Sequence, residues 1–130
     1  MDTGGCVLIL DKPEDILRKF KRAVTDSETS VRYDTQNKPG VSNLMQIYSV
    51  CTGLSYEQIE NEFSGQGYGV FKQRVADAVI ETMNPIREEA LRILSDKAYM
   101  ESVYKLGAEK ASYTANKTLR KVYKKVGFIV

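Results

Sequence analysis

Histidine and tryptophan are absent from these 130 residues, and only two cysteines and three prolines occur. Without histidine the chain lacks the side chain that most often serves as a general base near neutral pH, and the commonest metal ligand. Cys6 and Cys51 stand far apart with no CxxC pair. They form neither a disulfide framework nor a zinc site of the usual spacing, and two reduced thiols in the cytoplasm are the expected state. The longest apolar run, Cys6 to Leu10, falls far short of the roughly 20 residues a membrane span needs. The first residues show no basic start and apolar core of a secretory signal. No hairpin turn, no repeated βαβ pattern and no fixed-period repeat is visible. Neither sign of charge dominates: Lys and Arg number 19 against 17 Asp and Glu, a net charge of +2. Any preference for an anionic partner must therefore come from how the charges are distributed.

What is present is an ordinary globular balance, 42% hydrophobic and 28% charged, of a length that suits one domain. Val7 to Leu10 reads as a strand or an extended segment that something must cover. A first helix opens at Pro13, with Glu14 and Asp15 at its positive end and Arg18, Lys19, Lys21 and Arg22 toward its negative end. Ile16, Leu17, Phe20 and Val24 recur in it at helical spacing. A second helix is expected to start at Ser42 and stop at Gly53, with Leu44, Ile47, Tyr48 and Cys51 on one face. Ser55 and Gln58 form a capping box for a third. The fourth carries Val70, Phe71, Val75, Ala78, Val79 and Met83, and Pro85 is expected to kink or divide it. A short helix from Ser95, a join at Gly107 and a last helix to about Val126 complete the pattern. The fold class is all-α, an irregular bundle of about five to seven helices with a short extended N-terminal segment.

Few side chains point to chemistry. The "GQGYGVFK" stretch, residues 65–72, has neither the strand-borne dinucleotide fingerprint nor the P-loop ending, and reads as a turn. Glu57, Glu60 and Glu62, and Glu88 and Glu89, read as solvated faces, and no serine or threonine has a candidate base. No catalytic and no metal-binding residue is assigned. The last helix is more informative. Ala108, Ala111, Ala115, Leu119, Val122 and Val126 form one face, suited to packing, and Lys110, Tyr113, Lys117, Arg120 and Lys124 form the opposite one. Cations can contact phosphates and an aromatic ring can stack on an unpaired base, so these five are the candidate RNA contacts.

Five ordered pieces, "AVTDSETSVRYD", "NKPGVSNLMQIYS", "GYGVFK", "LGAEKA" and "TLRKVYKKVGF", together resemble the C-terminal portion of bacterial tryptophanyl-tRNA synthetases. The likeness runs from about Cys6 to Phe128. It implies a class I synthetase context, in which a Rossmann catalytic domain with a HIGH-type motif ends in a KMSKS-type loop. A helical domain that recognises the anticodon region of tRNA follows. Neither signature occurs in this chain, so no catalytic residue carries over and the chain alone is expected to be inactive. Residues 1–11 correspond to a linker after the KMSKS loop, and 12–130 to the helical domain. The resemblance further implies a tRNA for tryptophan and the catalytic domain of the same enzyme as partners, in a homodimer, with no DNA and no membrane. It places ATP with Mg in the full-length enzyme and no cofactor in this chain. The polar crossing at 23–50 is expected to act as an interdomain hinge, with Asp26, Arg32 and Tyr33 as its candidate residues. The alternative is a module that docks on a catalytic domain or on itself through the Val7–Leu10 run, without binding RNA.

Overall fold

The structure, a computed structural model, describes residues 5–128. Residues 1–4, on which the resemblance sets the register after the KMSKS-type loop, lie outside them. Five helices follow one another among the described residues: α1 (Pro13–Arg22), α2 (Pro39–Thr52), α3 (Tyr56–Glu62), α4 (Tyr68–Ser95) and α5 (Lys97–Lys125). The all-α expectation is met. The chain divides into two compact units, Met1–Ala90 and Leu91–Val130, and the division falls within α4.

The core of the first unit is assembled from helical spacing. α1 contributes Ile16 and Phe20, α2 contributes Val41, Leu44, Met45 and Tyr48, α3 Ile59, and α4 Phe71, Val75, Ala76 and Val79. At its centre Tyr48, Phe63 and Phe71 meet edge to face, with ring centroids 5.0–6.3 Å apart, the geometry that the ring quadrupole favours. Val70, expected in the α4 stripe, is half exposed instead, because Phe71 beside it takes the inward position.

Local signals place the ends of the elements. The capping box closes: Ser55 Oγ accepts from Gln58 N–H, and Gln58 Oε1 accepts from Ser55 N–H at 2.8 Å. Gly53 ends α2 at a φ of 76°, a conformation that favours glycine. Five expectations are corrected in whole or in part. The second helix starts at Pro39 rather than Ser42, since Pro39 suits a first position and Ser42 is a buried interior residue whose Oγ accepts from Asp34 N–H at 2.8 Å. Pro85 lies inside α4 without dividing it, because it removes only one donor from a helix of 28 residues with a long run of turns on each side. Gly107 likewise makes no join, and Asp96, not Ser95, caps α5 by accepting from Tyr99 N–H at 2.9 Å. Val7 to Leu10 is not a strand. Leu8 N–H donates to Asp11 Oδ2 at 2.8 Å and Asp11 N–H to Leu8 O at 3.0 Å, which closes a turn and leaves Leu8, Ile9 and Leu10 about half exposed.

The second unit is of a different kind. No residue of α5 is buried. The face of Ala108, Ala111, Ala115, Leu119, Val122 and Val126, read from sequence as the side for packing, is exposed. Its 29 residues, about 43 Å at 1.5 Å per residue, rest on local terms: the Asp96 cap and helix-forming Ala, Lys and Leu. A Glu101–Lys105 pair at 2.8 Å and basic residues in the last turn, at the negative end of the helix dipole, add to them.

Candidate functional site: a polar latch and a cationic helix face

The 23–38 segment crosses between α1 and α2 without regular structure, so its backbone polar groups need partners. They find them through side chains. Asp34 Oδ1 accepts from the N–H groups of Gln36 and Asn37 at 3.1 and 3.0 Å, and Lys38 N–H donates to Asp34 O at 2.8 Å. This turn delivers Lys38 to the first residue before α2. Lys38 is 1% exposed, among the largest fully buried side chains of the described residues.

A lysine is buried only when its charge is met. Lys38 Nζ donates to Glu28 Oε2 at 2.5 Å, to Tyr68 Oη at 3.0 Å and to Asp26 Oδ1 at 3.3 Å. Tyr68 Oη donates to the same Asp26 oxygen at 2.7 Å and lies 3.1 Å from Ser30 O. A single latch thus ties the crossing, the start of α2 and the first turn of α4. The charges reinforce one another. The bond from Tyr68, helped by Glu28 N–H and Lys38, holds the Asp26 carboxyl below its usual value. Lys38 does the same for Glu28. The bonds to Glu28 and Tyr68 hold the Lys38 ammonium above its usual value in spite of burial, and burial pushes the Tyr68 phenol up.

These directions fix a pH dependence. Asp26 and Glu28 have lowered folded values, so their stabilisation is present above the ordinary carboxylate values of 3.8 and 4.5 and is lost as pH falls through the lowered ones. Lys38 has a raised value, so its stabilisation is complete below 10.5 and is lost only as pH rises through the higher one. Lys38→Met is expected to lower the melting temperature at pH 7 and to weaken the dependence of stability on pH between about 5 and 3. Urea unfolding of both proteins across that range checks it. Parallel curves would show that the latch does not set the acid limit.

Of the three residues read as a hinge, Asp26 sits in the latch. Tyr33 is fastened elsewhere: its ring stacks on Tyr56 at 4.0 Å and 10°, its N–H donates to Glu60 Oε1 at 2.8 Å, and its Oη accepts from Gln46 Nε2 at 2.8 Å. Arg32 is exposed, with Nη2 3.4 Å from Asp34 Oδ2. The structure therefore gives the three separate partners rather than one cluster. Two glutamates read as solvated are in use: Glu60 as above, and Glu62, which accepts from Tyr48 Oη at 3.2 Å.

Lys38, Tyr68 and Gly40 were not singled out by sequence. A Cβ built on Gly40 falls 2.3 Å from Val24 O and 3.2 Å from Val24 C, so α2 and the crossing touch backbone to backbone there. The signal lay in "KPG" itself. Pro39 at the first helical position makes Lys38 the cap residue, where lysine is a poor choice, and the acids of "DSE" wait upstream to receive it.

The second candidate site lies on α5. Lys110, Tyr113, Lys117, Arg120 and Lys124 are all exposed on one face, Tyr113 by 73%. From Lys110 to Lys124 the stripe is about 21 Å long. No ion pair engages these cations among the described residues. From Lys117 to Lys125 the helix has five cations and no acid, and neighbours such as Arg120 and Lys124 repel at i,i+4 spacing. A polyanion along this face relieves that repulsion. Among the described residues no group of three or more Asp, Glu, Cys or His side chains is placed to hold a metal ion, and no helix is long and apolar enough to cross a membrane.

The profile of the class I tRNA synthetases (W and Y) matches residues 2–84. The chain belongs to that family. The tryptophan–tRNA ligase of Clostridium acetobutylicum is 52% identical to it over 124 residues, which are 95% of this chain and 37% of that relative. That of Clostridium tetani is 52% identical over 127 residues, 98% of this chain and 37% of the relative. The crystal structure of tryptophanyl-tRNA synthetase from Mycoplasma pneumoniae matches with a TM-score of 0.69 over 98% of this chain and 39% of its own, at 23% identity, a likeness of fold. The chain thus spans little more than a third of the length of these synthetases. The latch residues Asp26, Glu28, Lys38 and Tyr68 all lie within the family match; the cationic face of α5 lies beyond it.

Proposed function

We propose that this chain is the helical tRNA-recognition part of a tryptophan–tRNA ligase, working in the cytoplasm beside the catalytic domain of that enzyme. The observation that carries the reading is the α5 stripe: four unpaired cations and a tyrosine on one exposed face of a chain whose net charge is only +2. Phosphates of the tRNA meet Lys110, Lys117, Arg120 and Lys124, and Tyr113 stacks on an unpaired base of the anticodon region. The latch supports this role from the other unit by keeping the 23–38 crossing in one conformation. Arg32, exposed at its surface, remains available to a neighbouring domain, which is the hinge role proposed for the segment. On this reading ATP with magnesium is held by the catalytic part of a full-length, homodimeric enzyme.

Binding of unfractionated tRNA at increasing salt tests the electrostatic part. The logarithm of the association constant is expected to fall linearly with the logarithm of salt concentration, with a slope of about −3 for four contacts on a single-stranded region. A slope near zero would overturn it. A second reading has its own observation. Leu8, Ile9 and Leu10 are about half exposed in one turn, which suits a module that docks on a catalytic domain or on a second copy. Sedimentation at two concentrations separates the readings: a strict monomer removes the self-docking form.

A further inference from the structure

An open groove of about 960 Å³ lies in the first unit, lined by the N-terminal segment, α1, the start of the crossing, α2 and α4. Phe20, Leu44, Ile47 and Val79 contribute to its apolar lining, and Val24, 86% exposed, stands at its rim. Arg18, Lys19 and Arg22 also line it, and no carboxylate does. The neighbouring acids are accounted for: Asp15 holds Arg18 and Asp11 holds Lys19, each at 2.5 Å. Arg22 has no ion pair among the described residues. Asn43 adds a neutral amide to the lining, and two backbone carbonyls nearby are occupied or covered. Ala23 O accepts from Lys72 Nζ at 2.7 Å, and Gly40 lies against Val24 O. Among the charged side chains that line the groove Arg22 is thus the one left unpaired, and no anionic acceptor faces it.

From this combination we infer that the groove binds a small amphiphilic anion, an apolar body carrying a carboxylate, sulfonate or phosphate. Arg22 meets the anionic group, and Val24, Phe20 and Ile47 meet the body. The volume lies at the upper end of the range of small-ligand sites, which are mostly apolar with a few placed polar groups. A ligand with only one of the two features leaves half of the groove unused.

The probe is 8-anilinonaphthalene-1-sulfonate, titrated by fluorescence against the whole chain. One saturable site is expected. Arg22→Glu and Val24→Glu should each weaken binding about ten-fold, a change of about 1.4 kcal/mol. Both side chains are exposed, so each variant should keep its helix content by circular dichroism at room temperature. Octanoate should displace the probe, and inorganic phosphate at the same concentration should not. Leu119→Lys, on the exposed apolar face of α5, should leave binding unchanged. The inference is overturned by unsaturable binding, by indifference to Arg22→Glu and Val24→Glu, by loss of binding in Leu119→Lys, or by phosphate competing as well as octanoate, which would mean a plain cationic patch.

Discussion

Gly40→Ala is expected to lower the stability of the first unit by about 3 kcal/mol or more, at the upper end of overpacking costs. For a unit of this size that is about 15 °C in melting temperature. The added methyl would sit 2.3 Å from the carbonyl oxygen of Val24. A flexible side chain could rotate away from such a clash, but a backbone carbonyl cannot. The crossing is held on both sides of it: Lys72 binds Ala23 O at 2.7 Å, and the latch binds Asp26. Either α2 withdraws from the crossing or the crossing leaves Lys38 with fewer partners. Gly69→Ala is the control, since a Cβ there meets nothing within 4 Å, and it should change stability by no more than about 0.5 kcal/mol. Denaturant unfolding of the two variants reads the difference. Equal stabilities would show that α2 and the crossing are free to separate.

The second large effect concerns α5. Reversing four charges together, Lys110→Glu, Lys117→Glu, Arg120→Glu and Lys124→Glu, is expected to weaken tRNA binding at low salt by at least about 100-fold, because the sequence-independent electrostatic term then opposes association. Each position changed singly to Ala should reduce the salt slope by about 0.7. Tyr113→Ala should behave differently. Loss of one stacked base is worth about 1–3 kcal/mol, and removing an uncharged ring leaves the salt slope in place. None of these side chains is buried, so helix content by circular dichroism should be retained. Unchanged affinity in the four-fold variant would remove α5 from the interface.

The sequence spoke clearly where a few neighbouring residues decide the outcome. Ser55 with Gln58, Gly53 at the end of α2, and the spacing of Leu44 and Tyr48 are all local, and each sits where local rules place it. Gly107 misled, and of the two outcomes expected at Pro85 the division did not occur, because one unfavourable residue weakens a long helix without breaking it; the flanking turns outweigh the single lost bond or the added backbone freedom. The latch was least legible. Lysine is ordinarily exposed, and what makes Lys38 an interior residue is the meeting of Glu28 and Asp26 with Tyr68, 30 positions away, which the packing of α4 brings near. Gly40 is similar, since its reason is a backbone approach and not a turn. On α5 the cationic face is a pattern of periodicity alone, since no residue of that helix is buried and exposure does not set one face apart from the other. The apolar face was legible as a pattern, but its packing partner was not, because a period gives a direction and says nothing of what stands there.

The most direct measurement is the affinity of this chain for a tRNA bearing the tryptophan anticodon, by fluorescence anisotropy at low and moderate salt, against the same tRNA with the anticodon replaced. Tighter binding to the native anticodon is expected at both salts, with both affinities falling as salt rises. Equal affinity for the two tRNAs, or no binding even at low salt, would contradict it.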